Sequence, residues 1–155
     1  MFHILYICFL ILFLYICHMK SHQIKHTDAV NFILGGKSLF TLQNPKSGNR
    51  FTFKVKKHKV DDVFFVSVLV NPDVFQFIGT IKNEKFSHSR SSKISKDAQS
   101  FRVFDYVFVN LCKGTLPEFI EIWHEGKCGK CGRTLTVPSS IETGFGPECQ
   151  KRLNR

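Results

Sequence analysis

A chain of 155 residues, 43% hydrophobic and 22% charged, is long enough for one domain or a domain with a small appendage, and too apolar for wholesale disorder. Twenty-two Lys and Arg against twelve Asp and Glu leave a formal charge of +10, which favours a polyanion or an acidic surface as partner over a basic protein. Composition also excludes collagen-like, coiled-coil and multi-span membrane proteins.

Residues 1 to 18 stand apart. They contain no Lys, Arg, Asp or Glu, and Ile4 to Cys17 is an uninterrupted run of fourteen aliphatic, aromatic or Cys residues. A spanning helix needs about 20 apolar residues, and a signal peptide needs a basic start and a small-residue cleavage site; the segment offers neither. Two readings stay open. In one, the segment is a short membrane anchor whose flanking Lys20 and Lys25 keep the body cytoplasmic. In the other, the start is misplaced, Met19 opens the protein, and the body is cytoplasmic without membrane contact. Either way the body keeps all the excess positive charge, with Cys112, Cys128, Cys131 and Cys149. Such uneven clustering suits metal ligation in a reducing compartment better than a secreted disulfide framework.

Along the body, Asp28 to Leu34 reads as a short helix capped by Thr27 or Asp28 and stopped at Gly35-Gly36. The period then changes. Ser38 to Leu42 is extended, Asn44 to Asn49 is a turn, and Phe51, Phe53 and Val55 alternate with Arg50, Thr52, Lys54 and Lys56, which predicts a half-buried strand with a basic outer face. Val63 to Val70 is almost continuously apolar, as in a central strand covered on both sides. Asn71-Pro72-Asp73 turns it into Val74 to Lys82, completing a three-strand antiparallel meander. Ser87 to Ser95 is a Ser-rich basic loop, with Ser95 able to cap the next element. Phe101, Phe104, Phe108 and Leu111 recur at helical spacing, predicting a helix from about Asp97 to Cys112 that ends at Gly114 and Pro117. Phe119 to Trp123 is one more strand.

The expected fold class is therefore α+β: a small antiparallel sheet with one or two helices, followed by a C-terminal metal-binding knuckle. This divides the chain into the apolar segment 1–18, a basic α+β domain at 19–123 and a metal-binding module at 124–155.

The module carries the most specific signal. Cys128 and Cys131, separated by two residues, can bend around one ion, and seventeen residues later Cys149 supplies a third thiolate. Pro147 suits a first helical position, so Cys149 falls in the first turn of a helix; knuckle plus helix start resembles half of a treble clef. Zn2+ is the expected ion, and it would stabilise a segment with too few apolar residues to hold a core unaided. His124 is the expected fourth ligand, with Cys112 and His88 as alternatives. A redox pair at Cys128 and Cys131 is disfavoured because Gly129 and Gly132 would weaken the helix such a motif opens.

Cys128-Gly-Lys-Cys131-Gly-Arg133, then Leu135-Thr136, then Gly144-Phe-Gly146-Pro147-Glu-Cys149 resembles a domain of unknown function found in phage and bacterial proteins. Trp123-His124-Glu125-Gly126 strengthens the resemblance. It implies a small zinc-binding module of an intracellular, phage-type protein, and it implies no reaction.

Eleven basic residues fall in two segments, Lys46 to Lys59 and Lys82 to Lys96, with Glu84 as their sole acid. If they flank one sheet edge they form a groove for phosphates, with Phe or Tyr rings available for bases. Arg50, Lys54, Lys56, Lys57, Arg90, Lys93 and Arg133 are the candidate contacts. The expected function is nucleic-acid binding; the alternative is an adaptor that docks an acidic protein. No phosphate loop, nucleophile with its base or paired carboxylates stands out, so neither catalysis nor a small-molecule substrate is expected.

Overall fold

A computed structural model describes residues 22–153, so the expectations for residues 1–18 lie outside the described residues. Among the described residues, no helix is long and apolar enough to cross a membrane. The architecture is α+β, with six antiparallel strands and four helices among the described residues.

Helix α1 spans His26–Ile33, two residues earlier than the sequence reading places its start, and Lys25 caps it without a side-chain hydrogen bond. Neither Thr27 nor Asp28 serves as the cap. Strands β1 (Lys37–Asn44), β2 (Asn49–Lys57), β3 (Val63–Asn71), β4 (Val74–Lys82) and β5 (Lys85–His88) form a meander, and β6 (Glu121–His124) pairs with β1. The sheet order is β5-β4-β3-β2-β1-β6. The expected three strands thus belong to a meander of five. β5 depends on Asn83 and Glu84, whose φ values of 50° and 55° make the tight left-handed turn that the twist of a hairpin prefers. Residues 22–24 lie along the other side of β6, where Ile24 N–H donates to Ile122 O and His124 N–H to His22 O, shielding part of that edge.

Helix α2 is Gln99–Lys113, close to its predicted span, and Gly114 caps it at φ 67°. Ser95 shapes the turn before it by accepting the Asp97 N–H, while the N-cap itself is Ala98 without a side-chain bond. Phe104, Val107, Phe108 and Leu111 are its buried side; Phe101 is half-buried and packs against Phe86.

Both helices lie on one face of the sheet. Phe104 packs on Phe53 at 4.9 Å and on Phe86 at 4.7 Å between ring centroids, and Phe32 of α1 meets Phe40 edge-on at 6.3 Å. In register, Phe40, Phe53 and Val68 form one inward row and Ser38, Val55 and Val66 the next. The alternate residues point the other way. Between β2 and β5 none of those outward positions is buried. β3 is therefore covered on one side only: Phe64, Val66 and Val68 are buried, while Phe65 is 39% exposed, which corrects the expectation of a strand covered on both sides. A continuous apolar run is compatible with either arrangement, because periodicity cannot report whether a second layer is present.

After β6 the chain makes a hairpin around the cysteines, with Lys127 bridging Thr134, and then helices α3 (Pro138–Thr143) and α4 (Pro147–Leu153). Cys128, Leu135 and Phe145 join the same buried cluster as the sheet and helices. The hairpin is bound to the sheet directly: Lys37 N–H donates to Gly129 O at 2.8 Å.

Candidate functional site

The knuckle is shaped by its backbone. Cys128 N–H donates to Arg133 O at 2.8 Å and Gly132 N–H to Cys128 O at 2.9 Å, a tight loop that opens no helix. Pro147 starts α4, so Cys149 stands in its first turn, as the sequence predicts. The sulfurs of Cys128, Cys131 and Cys149 lie within 4.8 Å of one another. In tetrahedral zinc thiolate sites, bonds of about 2.3 Å put the sulfurs roughly 3.8 Å apart, so a contraction of about 1 Å or less would close the set on an ion.

The thiols are electrostatically unequal. Burial works against a charged Cys128, but backbone N–H groups of Cys131, Gly146 and Lys130, with the Cys131 thiol, outweigh it and bring its pKa down to about 7. Cys149 is pushed up to about 11, first by burial and then by hydrogen bonds and repulsion from the other two cysteines. Three thiolates cannot crowd together without a counter-charge, whereas a divalent cation would supply one. The donor set and its spacing therefore fit a thiophilic metal ion.

His124 is not part of this set. It is buried, and both ring nitrogens are already used: Nε2 donates to Ile141 O at 2.6 Å, and Nδ1 accepts the Gly126 N–H at 3.0 Å. That pattern describes a neutral imidazole with its proton on Nε2, leaving no lone pair for a metal. The alternatives also lie elsewhere. His88 bonds Ile94 O through Nε2, and the exposed Cys112 sits beside Glu84 O. Among the described residues no fourth His, Cys, Asp or Glu joins the three cysteines.

Two glycines fit the knuckle to α1. A Cβ on Gly129 would approach the Phe32 ring to 2.8 Å, and one on Gly144, at φ 75°, to 2.7 Å. Phe32 and Phe145 pack the helix against the module, their tilted rings 5.7 Å apart between centroids. Residues 123–154 match the DUF6011 family, a family of unknown function. The match is to the cysteine module and assigns it no activity. No curated protein matches the chain. No solved structure matches it either.

The candidate basic residues fall in four places. Arg50, Lys54 and Lys56 share the outward face of β2, and the Lys54 ammonium lies 3.8 Å from the centroid of the Phe75 ring, across the sheet on β4. Burial, and then repulsion by Lys56, lowers the pKa of Lys54 from its ordinary value. Lys57 has the opposite parity; it pairs with Asp62 at 2.8 Å and approaches Phe64, so it does not extend the row. Arg90 and Lys93 are exposed in the loop after β5, which is tied to the β4 edge where Ser92 Oγ donates to Phe77 O at 2.8 Å. Arg133 belongs to the knuckle, whose neighbouring Gly132 lies beside Lys37 at the start of β1.

Sequence reasoning expects Phe or Tyr rings near the cations but does not identify which. Phe65 and Phe77 meet edge to face at 5.9 Å on adjacent strands, with Phe75 next along β4. Their alternation is obscured by Val63 to Val70 reading as almost continuously apolar and by a bulge at Ile78, which shifts the β4 register. Toward β6 the face changes character: Thr41 donates to Glu125 at 2.6 Å, so the 2.8 Å contact with Thr52 is donated by Thr52, and Trp123 Nε1 donates to Glu121. A separate cleft of about 890 Å3 lies between α2 and the β1–β2 turn, with Asp97 and Asp105 against the single cation Arg102. It does not continue the basic surface.

Proposed function

We propose that this chain is a non-enzymatic nucleic-acid-binding protein of phage type whose C-terminal module is held by a structural zinc ion in a reducing, cytoplasmic environment. The observation that carries the nucleic-acid reading is the open outer sheet face. There Arg50, Lys54 and Lys56 stand beside Phe65, Phe75 and Phe77, with Lys82 and Lys85 at outward positions of β4 and β5. Cations neutralise phosphates, and exposed rings offer surfaces to bases. Zinc is favoured by three closely spaced sulfurs, a soft donor set that suits this ion in a reducing compartment. Phage origin rests on the resemblance of the cysteine motif alone.

The zinc reading is tested by native mass spectrometry and metal analysis of the purified protein, which should find one zinc ion per chain. Nucleic-acid binding is tested by anisotropy with labelled single-stranded and duplex oligonucleotides across salt of about 50 to 200 mM. Affinity should fall steeply with salt. Neutralising Lys54 and Lys56 together should weaken binding and lower the logarithmic salt slope by about 1.4 for a single strand, or about 1.8 for a duplex. Absence of binding to either form, with specific capture of one acidic protein, would replace this reading by the adaptor.

A further inference from the structure

We infer that the ligand of the outer sheet face is single-stranded nucleic acid, bound with two of its bases stacked on Phe65 and Phe77. This rests on the nucleic-acid reading above and adds the form of the ligand and the residues that select it.

Burial of Phe elsewhere sets the contrast. Phe32, Phe40, Phe53, Phe104 and Phe108 are each no more than 1% exposed, and together they build the core. Phe65 is 39% exposed in the middle of a central strand and belongs to no part of that core. Its neighbour Phe77 is half-buried, and the two rings meet at an interplanar angle of 61°. Phe75 has the Lys54 ammonium against its ring, whereas Phe65 meets the His58 imidazole edge to face at 5.5 Å and still keeps 39% of its surface open. The arrangement divides two tasks on one surface: Phe75 holds a cation where a phosphate can meet it, and Phe65 with Phe77 presents aromatic surface to bases.

Such an arrangement discriminates between nucleic-acid forms. In a duplex the base faces are stacked on one another, so a sheet face reaches phosphates and groove edges and the phenyl rings contribute little. In a single strand the bases can splay out and lie on aromatic rings while cations follow the backbone. Arg50 and Lys56 on β2, with the exposed Arg90 and Lys93 beside the Phe77 edge of β4, place positive charge on both sides of the ring pair. An acidic peptide would satisfy that charge and leave the rings without matching planes.

The test uses the full chain and labelled oligonucleotides of about 12 residues: oligothymidine, oligouridine, an abasic strand with the same backbone, and a duplex. DNA and RNA arms distinguish the two sources of single strand. At fixed salt, at least one base-bearing single strand should bind about tenfold or more tighter than both the abasic strand and the duplex. Phe65→Leu and Phe77→Leu should each weaken that binding about tenfold and leave abasic binding unchanged, and Phe65→Tyr should restore it.

Equal affinity for base-bearing and abasic strands, or for duplex, overturns this inference while leaving nucleic-acid binding intact. Binding to none of the four overturns both readings. A concentration-dependent dimer, abolished by Phe65→Leu in a chain that binds no oligonucleotide, would assign the face to a second copy instead. The abasic comparison uses the unaltered chain, so it decides the matter even if a leucine variant fails to fold.

Discussion

His124 donates from Nε2 to the carbonyl oxygen of Ile141 across 2.6 Å, joining the end of β6 to α3 inside the cysteine module. The residues are seventeen positions apart, and the bond is made in a buried site where His22 stacks on the imidazole at 4.7 Å. The histidine therefore holds the module to the sheet through hydrogen bonds, and the three cysteines are the residues that could hold a metal ion.

Removing the imidazole leaves the Ile141 carbonyl and the Gly126 N–H without their partner and opens a void. His124→Ala should cost roughly 2 to 4 kcal/mol of stability, read from urea unfolding. Its metal content should match that of the unaltered chain. Loss of the metal from a variant that remains folded would return His124 to the ligand set.

The same histidine makes stability depend on pH. Burial lowers its pKa below the ordinary 6.5, partly opposed by the hydrogen bond to Ile141 and the charge of Glu125. The folded state then binds fewer protons than the unfolded chain, so its contribution to stability is present above pH 6.5 and is lost as pH falls from there toward the lowered folded value. Unfolding curves between pH 8 and 5 should show this loss, and His124→Gln should flatten that component. An equally steep decline in the glutamine variant would assign it to other groups.

Metal affinity should rise with pH. Cys149, pushed up to about 11, is a thiol at neutral pH and must release its proton to ligate, and Cys128, at about 7, adds a second proton below neutrality. Competition with a chelator should show affinity increasing at least about tenfold per pH unit from 7 to 8, and more steeply below 7. Cys128→Ser should abolish stoichiometric binding and lower the melting temperature. A pH-independent affinity would mean that the thiols are not the donors.

Gly129 and Phe32 are coupled by contact. Gly129→Ala should cost about 1 to 3 kcal/mol because its methyl would press on the ring at 2.8 Å. Phe32→Leu should be destabilising alone yet relieve part of that cost in the double variant. Strictly additive losses in a double-mutant cycle would show that the two do not meet.

Local patterns were enough to place much of this protein. The spacing of Cys128, Cys131 and Cys149, with Pro147 opening a helix, identifies a three-sulfur cluster because so few backbone paths bring those positions together. The Phe104, Phe108 and Leu111 repeat marks the buried side of α2, and the alternation from Arg50 to Lys56 marks an amphipathic strand. Each depends on a period or spacing carried within a short stretch of chain.

Tertiary structure decided the rest because it depends on what distant segments do. β5 arises from left-handed conformations at Asn83 and Glu84, which are not glycines. His124 carries the residue type of a metal ligand, but Ile141 and Gly126 reach its nitrogens first. Lys57 is adjacent to Lys56 in sequence and points to the other side of the sheet, because side chains alternate along a strand. Above all, an apolar strand does not reveal how many of its faces are covered. Only the packing of α1 and α2 on a single side leaves Phe65 and Phe77 beside the cations of β2.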